Sequence, residues 1–347
     1  MSIAIALSGG ADSLMSMLLL RESGVKVMAV HALFLPQKNQ ALIQSLTQIC
    51  QQLDLPLHII DLRQEFEQLV IAPFIAAYAQ GLTPNPCATC NPIIKFGLLL
   101  DKVLALGAEA MATGHYARLQ DSPDGPCLFR GRDPAKDQSY FLSRVPRQSF
   151  KHILFPLADW TKTQVHAALA KQKLATCVQQ ESQEICFIPG NYRDFMCDRN
   201  TSLSGSGPIV LSNGTQVGQH QGLWNYTLGQ RKGLGIAYSE PLYVLSKDMQ
   251  NNRLVVGTKA QAVSTQCQTA PPNILIPQEQ WPKQTVVQTI YRQQPVPALV
   301  QTHTKGMTII FDQPRPLPAP GQIAAVYAKT GQVLAGAVLT SGENDAT

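Results

Sequence analysis

The sequence predicts an α/β domain built on an open parallel sheet, followed by a β-rich carboxyl-terminal part that ends in a small β-barrel. Three observations carry this. Apolar runs alternate with amphipathic stretches over the first third of the chain, the pattern of strands separated by helices. A glycine-rich turn, Ser8-Gly9-Gly10-Ala11-Asp12-Ser13, joins the first apolar run to the first helical stretch. Beyond about residue 200 short strand-like segments are broken by turns such as Ser212-Asn213-Gly214.

Residues 3–7, all apolar, form a buried parallel strand, and 14–22 the helix after it. Residues 25–35 read as a second strand, 40–53 as a helix, 57–62 as a third strand, and 64–79 and 93–106 as helices. Residues 110–113 make a fourth strand that runs into Gly114-His115-Tyr116, and 159–173 a further helix. Ligands of such sheets bind at the carboxyl ends of the strands. The 8–13 turn and Gly114-His115 both lie at such ends and face one site. Residues 202–207 read as a Ser/Gly linker, and Pro271-Pro272 and Pro282 mark a boundary near 270. Alternating segments over 285–339, with turns at 314–320 and Gly331, predict the barrel.

With 347 residues, 45% of them hydrophobic, the chain can fill two or three cores. No run of 18 apolar residues occurs, which argues against a membrane span. The amino terminus enters a strand directly, without a basic segment and apolar leader, so the expected location is cytoplasmic. A net charge of +5 permits a polyanionic partner without requiring one. Eight unevenly spaced cysteines point to metal or redox chemistry rather than a disulfide scaffold.

The strand–turn–helix around residues 8–13 is the geometry that holds a phosphate group. Glycines let backbone N–H groups approach oxygens, and the helix amino terminus adds its positive end. The run is neither a Walker loop nor a dinucleotide turn; it resembles the pyrophosphate loop of enzymes that cleave ATP to AMP and pyrophosphate. A second run, Thr83-Pro84-Asn85-Pro86-Cys87-Ala88-Thr89-Cys90-Asn91, sets a C-x-x-C pair in a rigid loop before a helix that carries Lys95 in its first turn. Thiols at a helix start are expected to have lowered pKa values. One such pair cannot complete a tetrahedral zinc site. Cys186, in Ile185-Cys186-Phe187-Ile188, offers a third thiol that reads equally as a buried small hydrophobe, whereas Cys50, Cys127, Cys177, Cys197 and Cys267 have no partner motif.

These runs, with Ile94-Lys95-Phe96, Ala112-Thr113-Gly114-His115-Tyr116-Ala117-Arg118, Lys136-Asp137-Gln138-Ser139-Tyr140-Phe141-Leu142, Gly218-x-His220-x-Gly222 and Tyr226-Thr227-Leu228-Gly229-Gln230-Arg231-Lys232-Gly233-Leu234-Gly235, resemble the tRNA-specific 2-thiouridylases over nearly the whole chain. The resemblance implies an adenine-nucleotide α-hydrolase-like pyrophosphate-loop domain (1–203), a small β-rich central domain that contacts tRNA (204–268) and a C-terminal β-barrel (269–347). It implies ATP-dependent thiolation of the wobble uridine, position 34, at C2 through an O-adenylated base. ATP, with Mg²⁺ placed by Asp12, would lie against Ala6, Leu7, Ser8, Gly9, Gly10, Ala11, Asp12, Ser13, Ala32 and Gly114. Cys90 matches the family nucleophile and Cys186 the persulfide carrier. Asn85, Pro86, His115, Lys136, Asp137, Gln138, Arg231, Lys232, Tyr291, Arg292 and Gln322 match positions near tRNA, although His115, Lys136-Asp137-Gln138, Arg231-Lys232 and Tyr291 also read as plain structural or solvated residues. Partners are tRNA and a sulfur donor, either sulfide or a persulfide-carrying protein, with no membrane.

Two departures stand out. Cys87 occupies the place of the family's usual acidic residue, so Cys87, Cys90 and Cys186 are together a candidate [4Fe-4S] site with one open iron for hydrosulfide; the rival is a cluster-free relay through a Cys186 persulfide and a Cys90–Cys186 disulfide. The acid-rich segment usual after the second strand is shortened to Leu33-Phe34-Leu35-Pro36-Gln37, and the Ser-x-Gly before Ile185 reads Ser182-Gln183-Glu184, which admits a related thiolase acting on another tRNA uridine. An ATP-dependent ligase of small molecules would leave the thiols idle, and a tRNA-binding protein without catalysis would leave the pyrophosphate loop idle.

Overall fold

Residues 2–6 of strand β1 (Ser2–Ala6) supply an almost fully buried stripe, and they occupy the centre of a five-stranded parallel sheet. The computed structural model describes residues 2–36, 40–172, 185–188, 190–199 and 203–341. Gln37, Cys177, the Ser182-Gln183-Glu184 run and the start of the 202–207 linker lie outside the described residues. From β1 the chain passes through α1 (Ala11–Glu22), β2 (Lys26–Leu33), α2 (Gln40–Gln52) and β3 (Leu57–Asp61). The next helical stretch is α3 (Arg63–Phe66), a π-helical turn (Glu67–Ile71) and α4 (Ala72–Ala79). It is followed by α5 (Pro86–Cys90), a longer π-helical segment (Asn91–Leu99), α6 (Leu100–Ala105) and β4 (Ala110–Ala112). A hairpin, β5 (Ala117–Gln120) and β6 (Cys127–Arg130), comes next. It leads to the single turn α7 (Ser139–Leu142), the short strand β7 (Ile153–Leu154), α8 (Lys162–Lys171) and α9 (Tyr192–Asp198).

The sheet runs β3-β2-β1-β4-β7, all parallel. The chain leaves β1 toward β2 on one side, and β4 joins β1 on the other. That reversal opens a crevice at the carboxyl ends of β1 and β4, the place where such sheets bind ligands. The 8–13 turn and Gly114 stand on its two sides.

The helix expected from residue 93 begins at Pro86. The Asn85 side chain accepts the Ala88 N–H at 3.1 Å and caps it, with Pro86 in the first helical position. Pro92 would break an α-helix at this point; the chain instead widens into the π-helical segment, a local form that often marks functional sites. The thiols of Cys87 and Cys90 therefore sit inside the first turn, and Lys95 lies beyond it. Similarly, α8 starts at Lys162 rather than 159, because Thr161 and Gln164 form a reciprocal capping box.

The second unit is a four-stranded sheet, β10-β11-β8-β9, from β8 (Gly207–Leu211), β9 (Gln216–His220), β10 (Tyr243–Asp248) and β11 (Arg253–Gly257). The third comprises β12 (Val263–Thr269), β13 (Asn273–Ile274), β14 (Thr285–Gln288), β15 (Val296–His303), β16 (Gly306–Pro316), β17 (Ile323–Ala328) and β18 (Val333–Thr340). Pairing of β12 with β18 closes six of these strands into a barrel, with β13 added on β18. The barrel core is Val287, Ile309, Val326, Leu334 and their neighbours.

The α/β unit and the barrel share apolar packing. Tyr140 of α7 is fully enclosed and donates its hydroxyl to the carbonyls of Ile323 (3.1 Å) and Thr289 (3.2 Å). Ile323, Tyr327 and Val333 belong to the same apolar cluster as Phe66, Phe96 and Tyr140.

Candidate active site

The 8–13 turn organises itself before any ligand enters. Gly9 adopts φ +83°, which favours glycine. Ser13 Oγ accepts the Ser8 N–H (3.2 Å), lies 3.2 Å from Ser8 Oγ, and donates to the Gly10 carbonyl (2.9 Å). Leu7 receives a hydrogen bond from His31 Nδ1 at 2.7 Å and donates its own N–H to Val30. Ala6 and Ala32 are the half-buried residues at the adjoining ends of β1 and β2. Gly114 approaches so closely that a β-carbon there would stand 2.8 Å from the Asp12 carbonyl carbon and 2.9 Å from the Ser13 nitrogen.

Asp12 projects from the first turn of α1 into an ion pair. Lys162 Nζ donates to both carboxylate oxygens, at 2.8 and 2.9 Å, and the Tyr116 hydroxyl donates to Oδ1 at 2.7 Å. Lys162 was not singled out by sequence reasoning. The signal that could have found it is Thr161-x-x-Gln164: a capping box after the next parallel strand aims a helix amino terminus, with Lys162 in its first position, at the crevice.

On the other side the thiols converge. Cys87, Cys90 and Cys186 lie within electrostatic reach of one another in the pairs Cys87–Cys90, Cys90–Cys186 and Cys87–Cys186. Lys95 acts on all three and on His115. Cys186 is the surface-open member and Cys90 the buried one. Burial pushes the Cys90 thiol up to about 12 and raises those of Cys87 and Cys186, while Lys95 pulls all three down. The expectation of lowered thiol pKa values is thus overturned: desolvation outweighs the pull of Lys95. A recess of about 610 Å³ lined by Tyr78, Ile185, Ile188, Gly190, Asn191 and Tyr192 flanks Cys186.

Among the described residues no three His, Cys, Asp or Glu side chains are close enough to hold a metal ion. Cys87 and Cys90 stand on α5, and Cys186 on the 185–188 segment.

The residues expected near tRNA divide into inward and outward groups. His115 is buried between the Phe96 and Phe155 rings, with Nδ1 2.8 Å from the Thr113 hydroxyl. Burial holds its pKa well below the usual value, so it is neutral and brings no charge to a phosphate. Asp137 is also buried; it accepts the N–H groups of Gly131 and Ser139 (both 3.1 Å) and the Ser139 hydroxyl (2.9 Å). Gln138 accepts the Tyr116 N–H at 3.0 Å. Gln138 thereby braces the Gly114-His115-Tyr116 segment, Asp137 ties Gly131 to Ser139, and Lys136 of the same run is half-buried. Pro86 is buried, and Asn85 is spent on its cap and on Gln322. Arg231 and Lys232 are exposed beside a recess of about 660 Å³ in the 231–242 loop. Tyr291 lies half-buried against Phe141, ring centroids 4.4 Å apart, and Arg292, at φ +65°, is exposed and covers the Tyr291 ring.

Comparison with known proteins agrees with this architecture. Residues 1–190 match the family model described as tRNA methyl transferase HUP domain, 193–258 the tRNA methyl transferase PRC-barrel domain, and 247–339 the aminomethyltransferase beta-barrel domain. The tRNA-specific 2-thiouridylase MnmA of Nitratidesulfovibrio vulgaris (strain DSM 19637 / Miyazaki F) is 50% identical, covering 98% of this chain and 99% of its own. The protein of the same name from Oleidesulfovibrio alaskensis is 49% identical with the same coverage. That from Magnetococcus marinus is 38% identical over 94% of this chain and 95% of its own.

Proposed function

The chain belongs to the tRNA-specific 2-thiouridylase family, and from that premise we propose that it replaces O2 of a tRNA uridine with sulfur at the expense of ATP. What supports this reading is the electrostatic coupling of Cys90 and Cys186, distant in sequence, in a chain that also carries the 8–13 turn at the end of β1.

A uridine O2 is a poor leaving group. Its attack on the α-phosphorus of ATP, with loss of pyrophosphate, makes AMP the leaving group. The 8–13 backbone and the amino terminus of α1 suit the phosphates, bound as their Mg²⁺ complex, and the Asp12–Lys162 pair adds an anion for the metal and a cation for the charge that develops on pyrophosphate. The base must leave the anticodon stack to reach the crevice, and the 231–232 and 291–292 surfaces supply basic and aromatic groups for RNA. The wobble uridine is the expected target.

Sulfur arrives as a persulfide on Cys186, the thiol that a donor can reach. Its terminal sulfur attacks C2 of the adenylated base. The Cys90 thiolate then attacks the inner sulfur and forms a Cys90–Cys186 disulfide. The electron pair of the broken S–S bond passes to the sulfur on the base, and AMP departs. A thiol reductant restores both cysteines for the next turnover. Lys95 favours each thiolate against the desolvation that opposes it. The alternative is a [4Fe-4S] cluster on Cys87, Cys90 and Cys186, and a requirement for iron distinguishes it from the relay.

The test is mass spectrometry of nucleosides from tRNA incubated with the protein, ATP and a sulfide or persulfide source. 2-Thiouridine should appear only with ATP, at one stoichiometric equivalent of AMP. Its absence with every tRNA and donor tried would overturn the assignment. Activity that needs iron, in protein purified anaerobically, would restore the cluster.

A further inference from the structure

The 83–85 segment, just ahead of the cysteine helix, is where all three units of the fold touch. The Thr83 N–H donates to the Pro320 carbonyl at 2.8 Å, and its hydroxyl donates to Thr227 Oγ1 at 3.3 Å. Gly321, at φ +92°, passes so near that a β-carbon would lie 2.9–3.0 Å from the Thr83 backbone atoms. The next residue is Gln322. Its Nε2 donates to the Thr83 carbonyl at 2.9 Å, and its Oε1 accepts from Asn85 Nδ2 at 3.5 Å. Only one orientation of the carboxamide satisfies both, because the flipped group would set oxygen against the Thr83 carbonyl. The other end of the Asn85 amide caps α5 by accepting the Ala88 N–H.

We propose that Gln322 is a positioning residue for the thiolation site: through Thr83 and Asn85 it ties the barrel to the turn of α5 that presents Cys90. Both polar ends of its side chain are turned toward this loop. The barrel thus holds the nucleophile's helix start, so a shift of the barrel on binding RNA reaches Cys90 through two amides. This inference rests on the sulfur-transfer reading for its consequence in catalysis, but its structural half stands without RNA.

The experiment uses the full chain with Gln322→Met, which removes both polar contacts, and Gln322→Glu, which keeps the acceptor for Asn85 and loses the donor to Thr83. Iodoacetamide labelling of Cys90 is followed by peptide mass spectrometry in the absence of tRNA, with the buried Cys50 as the control for general unfolding. The ratio of Cys90 to Cys50 labelling should rise at least threefold in Gln322→Met and at least as much in Gln322→Glu, whose second carboxylate oxygen is set against the Thr83 carbonyl. In 2-thiouridine formation kcat should fall about tenfold, with KM for tRNA within twofold of wild type. A labelling ratio unmoved in both variants overturns the proposal, as does a raised KM for tRNA with kcat retained, the mark of a direct RNA contact. If Gln322→Met fails to fold, Cys50 labelling reports it and Gln322→Glu decides. A wild-type protein that forms no 2-thiouridine would sink the functional reading and leave the labelling result to be judged by itself.

Discussion

Gly114→Ala is the substitution whose cost the geometry states most directly. The added methyl group would sit 2.8 Å from the Asp12 carbonyl carbon, 2.9 Å from the Ser13 nitrogen and 3.0 Å from the Asp12 β-carbon. Comfortable separation is about 3.5–4.0 Å, so one side must retreat by roughly 0.6 Å. Neither side can do so cheaply. The α1 side is anchored by Leu14 and Met17, both fully buried, and the Gly114 side follows a Thr113 N–H bonded to Leu154 at 3.1 Å. Overpacking of this kind costs about 1–3 kcal/mol. For a unit of nearly two hundred residues each kcal/mol lowers Tm by about 2–4 °C, so a mid-range cost of about 2 kcal/mol predicts roughly 4–8 °C. Differential scanning calorimetry without nucleotide should show the drop, and isothermal titration should show weaker ATP binding, because the displaced atoms include the Ser13 N–H. An unchanged Tm with only ATP affinity reduced would refute the reasoning: the gap at Gly114 would then serve the nucleotide alone and not the contact between strand end and helix.

Lys162→Met should slow tRNA-dependent pyrophosphate release by about 10²–10³, the usual loss when a charge-stabilising donor is removed. It should cost no more than about 1 kcal/mol of stability, since Asp12 is a third exposed; release within threefold of wild type would leave Lys162 as a mere partner of Asp12. Cys186→Ser should abolish 2-thiouridine while AMP transfer persists, and a wild-type yield would remove Cys186 from the pathway. Lys95→Gln should shift the alkylation profile of Cys186 to higher pH. The thiolate is the reactive form and Lys95 lowers the thiol pKa, so removing the cation raises it and slows alkylation at pH 8 by at least twofold; equal or faster alkylation would mean that Lys95 does not hold these thiolates.

Much of the fold was legible because its signals are local. An apolar run, a glycine turn and a helix at residues 3–22 specify β1, the 8–13 turn and α1 whatever surrounds them, and repetition of that pattern specifies the parallel sheet. The thiols were legible as a set but not in their chemistry. Proximity to a helix start is visible in sequence, whereas the burial that raises Cys90 belongs to an apolar cluster it shares with residues far along the chain, among them Leu142, Phe187 and Ile188. The start of α5 was hidden by Pro92, which reads as a helix breaker until the π-helical widening is seen. Asp137 and Gln138 look like a solvated polar turn, because nothing in their spacing tells that Gly131, Ser139 and Tyr116 hold them inward. Lys162 and Gln322 owe their places to contacts far away in the chain, with Asp12 and Thr83 respectively, and no window of neighbouring residues contains those partners.

The seat of α7 on the barrel decides how this protein can be taken apart. Ser143 presses on Gly336 so tightly that any β-carbon there would lie 2.3 Å from its hydroxyl, and the Tyr140 ring has no face left to water. A fragment ending before the barrel would therefore carry an apolar scar where Ile323, Tyr327 and Val333 had been, and a tyrosine hydroxyl stripped of both its carbonyl acceptors. Any dissection into soluble pieces, or any exchange of parts between relatives, must keep the first and last thirds of the chain as a matched pair and make its cuts around the middle unit.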